Sequence, residues 1–186
     1  MNEQNGEPHV PSSTSKTTIP VPSSTFTLME WNVGHKLYKL ENELRILLSN
    51  KNIDAVFITE VDLYDFRGNF SVPGYNTFYP LERFDGEGEE KIRIVCLTKK
   101  SDLFSFNIRT DLMDKRVQLK WIELRMSVGK KYLLGGLYRE WTQDDGDTTV
   151  AAQVDSIQII SDQISRACDE CPRVIVVGDV NLCTEK

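Results

Sequence analysis

A carboxylate and a carboxamide follow an apolar run near the end of the chain. Residues 174–177 are Val, Ile, Val and Val, Gly178 comes next, and Asp179 and Asn181 stand two positions apart. Consecutive β-branched residues are typical of a strand that is buried on both faces. If the chain stays extended after Gly178, the side chains of Asp179 and Asn181 point in the same direction. A buried strand that places a carboxylate and a carboxamide together at its end is typical of a catalytic or binding site.

Three other polar side chains, Asn32, Glu60 and Tyr138, stand at or just beyond the ends of other predicted strands. Ligands of α/β sheets collect beyond the carboxyl ends of the strands, so these residues are candidates for one shared site. Each also has a structural explanation. Asn32 and the Asp179 segment suit turns, Glu60 suits a solvated loop, and Tyr138 suits the edge of a core.

The elements that would position these side chains begin with a strand–helix–strand unit. The predicted strands are Thr25–Trp31 and Ile53–Thr59. Between them, an apolar stripe of helical period is formed by Leu37, Leu40, Leu44, Leu47 and Leu48. A helix that connects two strands in this way favours a parallel pair.

The middle of the chain lacks a helical period and predicts an antiparallel meander. Its strand candidates are Tyr75–Tyr79, Ile92–Thr98, Phe104–Thr110, Trp121–Met126 and Lys131–Tyr138. A second helix face then follows at Val150, Val154, Ile157, Ile160 and Ile164, before the last strand. This order of elements predicts a layered α/β fold.

Composition divides the chain into a tail and one domain. Residues 1–24 are rich in Ser, Thr and Pro and poor in apolar side chains, which predicts a disordered tail. Residues 25–186 suit a single globular domain, because the chain is 40% hydrophobic and 27% charged. No apolar run is long enough to span a membrane. The four cysteines are interpreted as reduced thiols, which favours an intracellular location.

The net charge of −6 gives no sign of a strongly basic surface for nucleic acid. It does not exclude such a partner, because a divalent metal ion can bridge carboxylates to phosphate.

Four short motifs occur in order along the chain. They are Glu-Trp-Asn-Val at 30–33, Ile-Thr-Glu-Val at 58–61, Gly-Leu-Tyr-Arg at 136–139 and Val-Gly-Asp-Val-Asn at 177–181. They resemble the motifs of the endonuclease/exonuclease/phosphatase (DNase-I-like) superfamily. The sequence Tyr-Arg-Glu-Trp at 138–141 is most similar to the endonuclease domains of non-LTR retrotransposons. The resemblance extends from about Phe26 to Leu182.

The resemblance implies two packed mixed β-sheets flanked by helices, a four-layer α/β sandwich. It also implies an Mg²⁺-dependent (or Mn²⁺-dependent) phosphodiesterase that hydrolyses DNA with metal-activated water. Glu60 would be the main metal ligand and Asn32 would support it, which fits the preference of Mg²⁺ for a few hard oxygen ligands. Some family members have a further ligand two positions after this Asn, where the present chain has Gly34.

The remaining motif residues would act on the phosphate and the water. The resemblance implies that Asp179 aligns or deprotonates the attacking water. Asn181 would hydrogen-bond the phosphate, and Tyr138 would donate to a phosphoryl oxygen. Arg139 either supplies a further cationic contact to the phosphate or is a surface residue.

The superfamily completes its site with a C-terminal Ser-Asp-His motif, and this chain has no His after His35. The chain ends at Lys186, before that motif and before the last strands of the fold. We therefore predict that these 186 residues are a fragment with little or no activity. The alternatives are a phosphatase or RNA-processing member of the superfamily, acting on RNA or a phosphorylated small molecule, or a non-catalytic relic. The nucleus is one candidate compartment.

Overall fold

The computed structural model describes residues 25–64, 70–78, 91–139 and 150–181. The predicted disordered tail at 1–24 lies outside this range. The described elements are β1 Leu28–Asn32, α1 Glu41–Asn50, β2 Ala55–Tyr64, β3 Tyr75–Phe78, β4 Lys91–Lys99, β5 Phe104–Ile108, a 3-10 helix Thr110–Leu112, β6 Gln118–Met126, β7 Lys131–Tyr138, α2 Val150–Glu170 and β8 Val174–Asp179.

The strands form two mixed four-stranded sheets. The order is β1-β2-β4-β3 in the first sheet and β5-β6-β7-β8 in the second. The pairs β1–β2 and β7–β8 are parallel and the other pairs are antiparallel. The fold predicted from the sequence, with its parallel first pair, is confirmed. The predicted meander is divided, because β3 and β4 join the first sheet and only β5 to β7 form a meander in the second.

A helix covers the outer face of each sheet. Leu44 and Leu48 of α1 pack with Val56 and Ile58 of β2 in one core cluster. Residues Ile159, Ile160 and Ala167 of α2 pack with Leu119, Trp121 and Leu133 of the second sheet. Phe57, Ile94, Cys96, Ile122, Leu124 and Leu134 fill the space between the sheets. The alternation of Val56, Phe57 and Ile58 therefore supplies two different cores from one strand.

The predicted buried face of α2 is wrong in its first half. Val154 and Ile157 are 59% and 46% exposed, whereas Ile159 is buried. The sequence pattern fails because polar residues occupy the inward positions of that half, where Gln153 and Ser156 are half-buried. A further polar residue lies on the same face in the second half. Gln163 is fully buried and accepts a hydrogen bond from the indole of Trp121 at 3.1 Å.

The prediction that β8 is buried on both faces is also wrong. Ile175 is 39% exposed, and the strand is otherwise half-buried. Among the described residues β8 is the last strand of its sheet and pairs with β7 alone, which explains the exposure.

Within the part of the chain that the structure describes, Cys96, Cys168 and Cys171 form no disulfide bond. The fourth cysteine of the prediction, Cys183, lies outside the described residues. Neither α-helix of the described residues is long and apolar enough to cross a membrane.

Candidate active site

The ends of β1 and β8 meet where the two sheets approach each other. Asn32 is the last residue of β1, and its Nδ2 donates to Oδ2 of Asp179, the last residue of β8, at 2.8 Å. The Oδ1 of Asn32 accepts from the backbone N–H of Gly34 at 2.9 Å. Because this contact requires an acceptor, it fixes the amide orientation that directs Nδ2 to Asp179.

A tight turn holds the second carboxylate oxygen of Asp179. Its Oδ1 accepts from the backbone N–H of Asn181 at 3.0 Å. Asn181 has φ of 45°, so the chain is not extended there and the condition for two parallel side chains is not met. Its Nδ2 donates to the backbone oxygen of Arg139 at 2.8 Å. Asp179 thus also makes the local contact of a turn former, whereas the Asn181 side chain bonds to a residue 42 positions away.

Gly178 allows this turn to approach β7. Its φ is 146°, and a Cβ atom at this position would collide with the backbone oxygen of Leu137. Only a glycine permits such close contact with the neighbouring strand.

The sequence places Glu60 at the end of a strand, but in the structure Glu60 lies within β2. Its φ is 54°, and the pairing of β2 with β4 is irregular between Thr59 and Leu63. A left-handed conformation is uncommon for a residue other than glycine and occurs frequently at functional sites. The carboxylate lies beside Gly34, where a Cβ atom would stand 3.8 Å from Oε2.

Two residues that the motifs do not include lie against this group. His35 Nε2 is 3.9 Å from Glu60 Oε2, and Arg93 Nη1 is 3.3 Å from His35 Nδ1. The guanidinium carbon of Arg93 also lies 5.9 Å from the centroid of the Tyr138 ring. The sequence showed no partner for His35, and Arg93 was missed. The sequence feature that could have indicated Arg93 is its positive charge within the otherwise apolar strand Ile92–Leu97.

Tyr138 is the register partner of Asp179 and is only 4% exposed. The next residue, Arg139, is 7% exposed, so the alternative that it is a surface residue is wrong. Its Nη1 donates to the backbone oxygens of Val180 at 3.1 Å and Asn181 at 2.8 Å. Arg139 therefore holds the chain that follows Asp179.

The described residues include no group of three or more His, Cys, Asp or Glu side chains close enough to hold a metal ion. The oxygen donors of Glu60 and Asn32 nevertheless suit Mg²⁺, which takes one or two carboxylates and retains several waters. The Glu60 side chain is 19% exposed, so an ion from solvent can reach it.

No protein-family model and no curated protein matches the chain. Solved structures do. The endonuclease domain of TRAS1, a telomere-specific non-LTR retrotransposon, matches with a TM-score of 0.59 and 18% identity over 86% of this chain and 61% of that domain. The AP endonuclease LMAP from Leishmania major matches with a TM-score of 0.64 and 17% identity over 84% of this chain and 55% of that protein.

D. rerio TDP2, solved with a single-strand DNA product, matches with a TM-score of 0.57 and 17% identity over 86% of this chain and 62% of its own. The chain thus spans between 55% and 62% of the length of these three structures. With two packed mixed sheets between two helices, the described part of the chain has the DNase-I-like fold.

Proposed function

We propose that the chain is an endonuclease-type, Mg²⁺-dependent phosphodiesterase domain of the non-LTR retrotransposon kind, which hydrolyses a DNA phosphodiester with metal-activated water. The observation that carries this proposal is the hydrogen bond between Asn32 and Asp179, which joins the two sheets at 2.8 Å. The retrotransposon kind is supported by the match to the TRAS1 endonuclease domain and by the Tyr-Arg-Glu-Trp sequence at 138–141.

Glu60 would hold the metal ion, and Oδ1 of Asn32 would support it. That oxygen accepts from Gly34 and retains a second lone pair. When bound, Mg²⁺ would neutralise the charge that develops on the phosphoryl oxygens. The left-handed backbone of Glu60 supports this assignment. Such strain persists only where the surrounding structure enforces it, and residues strained in this way cluster at functional sites.

Asp179 would align the attacking water and take its proton. Each of its oxygens accepts one hydrogen bond, Oδ2 from Asn32 and Oδ1 from the backbone of Asn181. These two donors fix the plane of the carboxylate, and the remaining lone pairs can accept from water. A general base needs such fixed geometry, because it must lie within hydrogen-bond reach of the proton that it takes.

The phosphate would lie among Tyr138, Asn181 and Arg139. Asn181 uses one N–H for the backbone oxygen of Arg139, so its second amide N–H would serve the phosphate. Tyr138 would donate from its hydroxyl. The contacts of Arg139 with two backbone oxygens favour a positioning role, and its predicted contact with phosphate would require rearrangement of those bonds.

Metal binding and nicking of supercoiled plasmid test the proposal. Residues 1–186 should bind Mn²⁺, and Glu60→Gln should abolish binding. Nicking should appear when the polypeptide is extended with a segment that carries the last strands of the fold and the Ser-Asp-His motif. In this extended polypeptide, Asp179→Asn should abolish nicking but retain the affinity for Mn²⁺. A polypeptide so extended that binds Mn²⁺ but cleaves no phosphoester would contradict the proposal.

The alternative of a phosphatase or RNA-processing enzyme is favoured by the net charge of −6, because affinity for a DNA duplex comes mainly from Lys and Arg contacts. A matching structure is named as the 3' phosphatase NExo from Neisseria. Parallel assays with plasmid DNA, single-stranded RNA and a 3'-phosphorylated oligonucleotide distinguish these functions.

A further inference from the structure

Arg93 and His35 have no role in the proposed function, yet they contact two residues that do. His35 faces Glu60, and Arg93 lies against both His35 and the ring of Tyr138. We propose that His35 is a positioning residue for the Glu60 carboxylate and that Arg93 selects the imidazole tautomer in which His35 acts. This inference rests on the proposed function, because it concerns the residue that would hold the metal ion.

The tautomer follows from the chemistry of the two side chains. A guanidinium group has five N–H donors and no acceptor. The contact of 3.3 Å between Arg93 Nη1 and His35 Nδ1 therefore requires Nδ1 to accept. A neutral imidazole that accepts at Nδ1 carries its proton on Nε2. That N–H is the group that faces Oε2 of Glu60 across 3.9 Å.

The backbone holds the two side chains next to each other. His35 has φ of 63° and Glu60 has φ of 54°, and the N–H of His35 donates to the backbone oxygen of Glu60 at 2.9 Å. Glycine would adopt the His35 conformation without strain. An imidazole at this strained position is therefore consistent with a role for the side chain, because strained residues cluster at functional sites.

Arg93 is itself held from the second sheet. Its guanidinium carbon lies 5.9 Å from the Tyr138 ring centroid, within the range of a cation–π contact. The group thus extends from Glu60 in β2, through His35 and Arg93, to Tyr138 in β7. This chain of contacts links the orientation of Glu60, the proposed metal ligand, to that of Tyr138, which would donate a hydrogen bond to the phosphate.

The expected effect is moderate. The distance of 3.9 Å between Nε2 and Oε2 exceeds a direct hydrogen bond, so the N–H dipole acts on the carboxylate by electrostatic attraction. Replacement of a group that orients a metal ligand typically weakens metal binding by about 10- to 100-fold. Because the His35 side chain is 48% exposed, we expect the lower end, about tenfold.

The first measurement is the affinity of residues 1–186 for Mn²⁺ by titration calorimetry. His35→Ala and Arg93→Ala should each weaken binding by about tenfold, and the double variant should be no weaker than either. His35→Gln retains an N–H donor and Arg93→Lys retains a donor to Nδ1, so both should recover part of the affinity. Unchanged melting temperatures show that the variants fold.

The second measurement is NMR of the imidazole nitrogens, which reports the tautomer directly. The chain has two histidines, so His9→Ala assigns the signals of His35 and serves as a control for metal affinity. His35 should be protonated on Nε2 in the parent chain and should become a mixture of tautomers in Arg93→Ala. A proton on Nδ1 in the parent chain would overturn the inference.

The outcomes separate this inference from the proposed function. If Glu60→Gln abolishes Mn²⁺ binding but His35→Ala binds as tightly as the parent chain, His35 does not position Glu60 and the inference is wrong. If the parent chain does not bind Mn²⁺ while His35 retains the Nε2–H tautomer, the proposed function fails, and the inference fails with it because no metal ligand exists to be positioned.

Discussion

The side-chain amide of Asn32 donates to the carboxylate of Asp179 across 2.8 Å, and the two residues are 147 positions apart in the chain. Each is the last residue of its strand, and the strands belong to different sheets. The contact therefore reports how the two sheets are placed relative to each other at the candidate site. A displacement of one sheet relative to the other would separate the amide from the carboxylate.

Asn32→Ala tests whether this bond serves chemistry more than stability. The bond is exposed, so its removal should lower the free energy of unfolding by about 1 kcal/mol or less. Loss of the fixed carboxylate should reduce plasmid nicking by the extended polypeptide by roughly 100-fold, the effect expected of a displacement near 1 Å. Asn42→Ala, at an exposed position of α1, is the matched control. Equal activity of the two variants would contradict the role of Asn32.

Gly136→Ala should destabilise the packing of the two sheets. A Cβ atom on Gly136 would lie 2.7 Å from Cε1 of Phe57, a buried ring of the opposite sheet. Overpacking of this kind reduces the free energy of unfolding by about 1–3 kcal/mol, which urea denaturation measures. The double variant with Phe57→Leu should lose less than the sum of the single variants. Additive losses would mean that the ring can move aside.

The strands and the fold could be predicted because their signal is local. Val56 and Ile58 face α1 while Phe57 faces the other sheet, and this alternation is visible in the sequence. The motif residues could be assigned to one region because parallel strands end at one edge. The buried face of α2 could not be predicted, since the partner that buries Gln163 is Trp121, 42 positions away.

The conformation of Glu60 could not be predicted either. A continuous apolar strand gives no sign of a left-handed residue, and the hydrogen bond from His35 that accompanies it comes from another element. The pair of Arg93 and His35 was missed for the same reason, because its members are 58 positions apart and neither belongs to a motif. Tertiary contacts, not spacing, define this part of the site.

The buried hydrogen bond between Trp121 and Gln163 gives a third prediction. Both side chains are fully buried, and Nε2 of Gln163 has no hydrogen-bond partner within the part of the chain that the structure describes. Gln163→Leu would leave the indole N–H unpaired, at a cost of about 1–3 kcal/mol in the free energy of unfolding. Trp121→Phe together with Gln163→Leu would remove both partners, so the hydrogen-bond part of that cost should be absent.

Chemical denaturation of the four combinations measures the coupling between these two residues. Trp121→Phe alone is the second single variant, since it leaves the oxygen of Gln163 buried without its donor. A loss in the double variant equal to the sum of the two single losses would show that the hydrogen bond contributes nothing of its own.

An ion-pair group at the end of α2 predicts an acid-sensitive part of the stability. Glu170 accepts from Arg109 at 2.7 Å and from Lys131 at 2.9 Å, and these bonds lower the pKa of Glu170 from 4.5 to about 2. The folded chain thus keeps this carboxylate ionised at a pH where the unfolded chain protonates it. The stabilisation is complete above pH 4.5 and is lost as the pH falls to about 2.

Glu170→Gln should therefore flatten the dependence of the urea midpoint on pH between 4.5 and about 2. The loss of stability relative to the parent chain should be greatest and constant above that range and should disappear as the pH approaches 2. The Glu170 side chain is 37% exposed, so solvent screening limits each pair to less than about 1 kcal/mol. Salt at about 1 M should reduce the difference further, since it shortens the range of exposed charges. Asp169→Asn, at the exposed neighbouring position, is the control. An identical acid slope in Glu170→Gln and the parent chain would show that the three charges do not interact in solution, because a carboxylate with the same pKa in both states adds nothing to that slope.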